Sequence, residues 1–130
     1  MDFSVVINDL DGEPFTDQMA LQANGYYPLL AKFQADPQNN KEPEKVLLTL
    51  GAACRHALCS NFQDEPQLSG EERFERGLLA YKIKQGNPEL SSENISLIKR
   101  LLGKLYGPEV ILTSWSLLDP AEASKVTGAA

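Results

Sequence analysis

Between Leu68 and Leu118 the chain marks the ends of three successive helices, and this run constrains the fold more than any other part of the sequence. Ser69-x-x-Glu72 is a capping box, with Leu68 in front of it. Phe74, Leu78, Leu79 and Ile83 then recur at helical spacing. Gly86-Asn87-Pro88 stops that helix. Leu90-Ser91 starts the next, with Leu90 placed to staple against Ile95, and Ile95, Ile98, Leu101, Leu102 and Leu105 form its apolar face. Gly107 ends it, and Pro108 suits the first turn of a last helix carrying Val110, Ile111, Trp115 and Leu118. Asp119-Pro120 closes the series, so residues 121–130 are expected to form a flexible tail.

Upstream the period changes. Phe3–Ile7 is short, rich in β-branched residues and followed by turn residues, which predicts a strand. Glu13–Thr16 reads as a brief return strand that Pro14 confines to an edge. Val46–Leu48 reads as a third strand, running into Thr49 as the N-cap of a helix with Leu50, Cys54, Ala57 and Leu58 on one stripe. Residues 17–44, broken by Gly25, Pro28, Pro37 and Pro43, show little periodicity beyond a turn or two at Pro28–Gln34 and are expected to be an irregular excursion. The expected fold is therefore a single α+β domain over residues 1–120: a small N-terminal antiparallel sheet of two or three short strands, packed by three to four helices.

At 130 residues the chain can bury a core without a disulfide or metal staple. No apolar run approaches the length of a membrane span, and Met1–Ile7 lacks the positive flank of a signal peptide, so neither membrane insertion nor secretion is expected. Residues 1–72 carry twelve acids and four bases, whereas residues 73–107 carry three acids and seven bases. A net charge of −6 disfavours general nucleic-acid binding. Lys82, Lys84, Lys99, Arg100 and Lys104 could form a basic stripe, either a solvated face or a docking face. Cys54-x-His56-x-x-Cys59 resembles a zinc spacing. On a helix, however, the three side chains diverge and no fourth ligand lies near, so buried thiols are expected and no metal.

One string looks catalytic. Val5–Gly12, an apolar strand ending in Asp9-Leu10-Asp11-Gly12, resembles the first motif of the haloacid-dehalogenase phosphatases. That resemblance implies a nucleophile at Asp9 and a proton shuttle at Asp11, with a divalent metal screening the charge. Glu13 stands where the family has Thr, and no downstream strand ends in an acidic pair. A local turn, with Asp bonding its own backbone and Gly accepting positive φ, accounts for the same residues. An EF-hand loop also fails, because Gly12 and Ala20 fall at the wrong positions counted from Asp9.

Leu10–Pro14, Leu48–Gly51 with Ala57-Leu58, and the run from Leu68–Glu72 through Ile98–Pro108 together resemble small proteins encoded by tailed bacteriophages and prophages. The resemblance implies a viral protein at work in the host bacterial cytoplasm, without implying a site. No catalytic constellation, enzyme activity or cofactor is expected. The expected function is binding of another protein, a host factor or a defence-system component, with Tyr26, Tyr27 and Phe33 as contacts and Asp9, Asp11 and Glu13 as an acidic rim. The alternatives are a virion-assembly role, as a tail-assembly chaperone or connector, and a metal-dependent phosphatase using Asp9 and Asp11. The sequence names neither the partner nor the oligomeric state.

Overall fold

The computed structural model describes residues 1–86 and 88–128, so Asn87 and the last two residues of the expected tail lie outside it. Among the described residues seven helices follow one another: α1 (Gln18–Ala23), α2 (Tyr26–Ala35), α3 (Leu50–Cys59), α4 (Gly70–Gln85), α5 (Ser92–Leu105), α6 (Pro108–Leu118) and α7 (Pro120–Thr127). Among the described residues there is no strand or sheet, which overturns the α+β expectation. The three segments read as strands do run beside one another, but they meet only at isolated antiparallel bridges: Val6 with Thr49, Asn8 with Pro14, and Thr16 with Leu47. The physical reason is local. Thr16 and Leu48 each run straight into a helix cap, at Asp17 and Thr49, and Pro14 has no N–H to extend a ladder.

α3 is the centre of the fold. Its Leu50, Gly51, Ala52, Ala53, Cys54, Ala57 and Leu58 are all buried, and α4, α5 and α6 pack against it. Small side chains permit that close approach. At Gly51 the Phe3 carbonyl oxygen lies 3.0 Å from where a Cβ would stand. Ile7, Ile98, Leu101, Leu102 and Leu118 complete the core, and Phe3 lies over it.

The caps read from sequence occupy their positions. Thr49, Ser69 and Ser91 each accept a backbone N–H with the side-chain oxygen, and Ser69 and Glu72 form the reciprocal box. α4 differs from expectation in the face it buries. Arg76, Leu79, Ala80 and Ile83 point inward, whereas Phe74 and Leu78 are exposed.

The 17–44 stretch, expected to be irregular, carries α1 and α2. Asp17 caps α1 by accepting from Ala20 N, Gly25 turns the chain at φ 68°, and Pro28 falls in the first turn of α2, where no intrahelical N–H is required. Among the described residues α1 and α2 pack on each other and on no other helix. Residues 121–127, expected to be part of a flexible tail, belong to α7, which starts at Pro120. Asp119 ends α6 and also caps α7, its carboxylate accepting from Ala121 N, with Pro120 in the first turn.

Candidate protein-binding surface

The six contact residues expected from sequence fall into two separate groups. Asp9 Oδ1 accepts the backbone N–H of both Asp11 and Glu13 at 2.9 Å, and Gly12 adopts a positive φ of 84°, so these residues close a turn on themselves. The turn rests on α6, where Glu109 accepts from Leu10 N at 2.9 Å and Thr113 donates to the Asn8 carbonyl.

Tyr26 and Tyr27 lie on α2 with their rings edge to face, 5.2 Å apart. Tyr26 is buried beneath the α1–α2 pair. Tyr27 is exposed and hydrogen-bonds Gln18 through its hydroxyl. Phe33 is partly buried near the end of α2. A groove of about 400 Å³ runs between Tyr26, Leu29 and Lys32 on α2 and the strap from Asn40 to Glu44. Asp9, Asp11 and Glu13 do not line it, and neither do Tyr27 and Phe33.

Lys99, Arg100 and Lys104 of the basic stripe pair within the protein, whereas Lys82 and Lys84 on α4 are exposed. Lys99 Nζ donates to Asp119 and Glu122, each at 3.0 Å, and lies 4.8 Å above the Trp115 ring, while Trp115 Nε1 donates to the Lys99 carbonyl. Burial opposes the charge on Lys99, but its two carboxylate partners outweigh that and raise its pKa. Lys104 pairs with Asp64 at 3.0 Å and Glu65 at 3.5 Å. Arg76, buried on α4, holds Glu65 by two hydrogen bonds of 2.9 and 2.7 Å. That fork and the neighbouring Lys104 hold the Glu65 carboxyl down at about 2.

His56, the only histidine in the sequence, places Nε2 2.9 Å from both carboxylate oxygens of Asp17, tying α3 to the cap of α1. Burial pushes the Tyr106 hydroxyl up, with the charges of Asp17 and Cys54 adding to it, and burial pushes the Cys54 thiol up to about 12. Both groups therefore stay protonated at neutral pH, and neither is an activated nucleophile. Every buried side-chain nitrogen and oxygen among the described residues has a hydrogen-bond partner, and no group of three or more metal-ligating side chains is found there.

An apolar opening on α6 and α7 is not read from the sequence. Pro108, Ile111, Leu112 and Trp115 on α6 face Val126 on α7 across about 650 Å³, with Glu122 and Lys125 at the rim. Leu112 and Val126 are exposed at its mouth. The signal that could have revealed it is Asp119-Pro120, a cap followed by a first-turn proline, which starts α7 and supplies the second wall. No helix of the described residues is long and apolar enough to cross a membrane. No protein-family model, curated protein or solved structure matches the chain at a significant level.

Proposed function

We propose that this chain is a non-enzymatic protein-binding domain of phage origin, acting in the bacterial cytoplasm on a host factor or a component of a defence system. The observation that carries the reading is the α6–α7 groove, an apolar trough between two helices with exposed aliphatic side chains at its mouth. Such a trough suits the apolar side of an amphipathic helix, whose side chains at i, i+3 and i+4 would lie along it. Glu122 pairs with both Lys99 and Lys125, and Lys125 stays 75% exposed at the rim, so a partner helix with an acidic flank is favoured.

Affinity capture from bacterial lysate, with and without phage infection, compares the wild type with Leu112→Asp and Val126→Asp. Both substitutions lie at exposed positions and leave the core intact. The expected result is one host protein retained by the wild type and lost from both variants, then confirmed by titration with the purified partner. Equal retention by all three proteins would remove the groove from the proposal. Head or tail proteins appearing only after infection would assign the chain to virion assembly instead.

A further inference from the structure

α4 has two apolar faces, and the fold uses one. Arg76, Leu79, Ala80 and Ile83 are buried, whereas Phe74 is 69%, Leu78 40% and Tyr81 61% exposed. At about 100° per residue these three side chains fall within roughly 60° of one another, on the side of the helix roughly opposite the buried one. Gly77 sits beside them, and a Cβ there would meet nothing within 4 Å. Among the described residues no helix covers this stripe, and α4 packs on α3 alone.

The charges along its edge identify what fits it. Glu71, Glu75 and Lys82 lie on one flank of the stripe, roughly 50–90° from its centre, with the acids towards the N-terminus and the base towards the C-terminus. An antiparallel copy, related by a two-fold axis between Gly77 and Leu78, sets Phe74 opposite Tyr81 and brings the same flanks together. Lys82 of one copy then falls at the level of residue 73 of the other, midway between Glu71 and Glu75. Arg73 and Lys84 lie roughly 100° round from the stripe and stay in solvent. The helix dipole accounts for acids in the first turn and bases in the last, but not for three large apolar side chains left in water between them.

We propose that α4 is the self-association surface of this protein, pairing with α4 of a second copy in an isologous, antiparallel contact. Three partly covered side chains add of order 350 Å² of burial per copy, which places the pair among weak, concentration-dependent associations.

Sedimentation equilibrium from about 1 μM to about 1 mM tests this. The wild type is expected to show a monomer–dimer equilibrium within that range, and Phe74→Ala/Tyr81→Ala to raise the dimer Kd at least tenfold. Two charge variants separate pairing from folding. Glu71→Lys/Glu75→Lys presents three bases on the flank and Lys82→Glu presents three acids, so each alone is expected to remain monomeric. Their equimolar mixture is expected to form a heterodimer, which misfolded chains would not do. A wild type that stays monomeric throughout, or charge variants that fail to combine, would overturn the proposal, as would a dimer indifferent to all of these changes.

Discussion

Removing the negative charge of Glu65 by Glu65→Gln tests the electrostatic arrangement around α4 most directly. Arg76 is buried, its side chain 7% exposed, and its only carboxylate partner among the described residues is Glu65. Glu65, 13% exposed, has Lys104 at 3.5 Å and Arg100 at 3.7 Å in addition. The two ends of this pair are therefore unequal. Glu65→Gln strands a guanidinium inside the protein, a loss of about 3–5 kcal/mol, whereas Arg76→Met leaves a carboxylate with two cations still beside it and should cost about 1–2 kcal/mol.

The same pair predicts a pH dependence. Glu65 is held at about 2 instead of its ordinary 4.5, and each tenfold change in proton affinity is worth about 1.4 kcal/mol. With allowance for the residual exposure of Glu65, the contribution to stability is about 2 kcal/mol. The folded state binds this proton less readily than the unfolded state, so the contribution is complete above about 4.5. It is lost as pH falls towards 2. Urea unfolding followed by circular dichroism at pH 7 and pH 3 measures both effects. Glu65→Gln should be the more damaging single change at pH 7, and its deficit against the wild type should shrink at pH 3. Equal costs for the two single variants, or a deficit independent of pH, would refute the reasoning.

Two glycines should respond in opposite directions. Gly51→Ala drives a methyl towards the Phe3 carbonyl at 3.0 Å and should destabilise by about 1–3 kcal/mol, while Gly77→Ala meets open space and should stabilise by up to about 1 kcal/mol, both read from urea midpoints. The two cysteines should separate in thiol titration: exposed Cys59 reacts with a disulfide reagent in the native protein, and buried Cys54, raised to about 12, reacts only on unfolding. Asp17→Ala removes both the cap of α1 and the partner of His56 and should cost about 2 kcal/mol. Asp17→Asn keeps an acceptor for the Ala20 N–H and should cost less.

The parts of the fold legible in sequence are those that local chemistry decides. Thr49, Ser69, Ser91 and Pro108 mark helix starts through one side chain or one ring each, and all four lie where the sequence puts them. The extended segments were misread because alternation and β-branching report the local conformation of a residue, not the length of ladder it can form before a cap intervenes. α1 and α2 were hidden by Pro28 and Gly25, residues read as breakers that in fact occupy a first turn and a left-handed junction. α4 shows the limit of periodicity. Its sequence has two apolar arcs, and the choice between them depends on whether Arg76 can be buried, which Glu65, eleven residues away, makes possible. The α6–α7 groove was out of reach once Asp119-Pro120 had been read as an end and not a junction.

The hydrogen bond from Leu10 N to Glu109 joins residues 99 apart in sequence. At ribosomal rates of about 5–20 residues per second, Leu10 leaves the peptidyl-transferase centre roughly 5–20 s before its acceptor is made. Ile7, wholly buried, also has to wait, because the backbone carbonyl its N–H bonds belongs to Leu48. The stretch from Ile7 to Leu10 thus reaches its native surroundings only after residues far downstream have been made, and during synthesis it depends on whatever else shelters an apolar nascent chain.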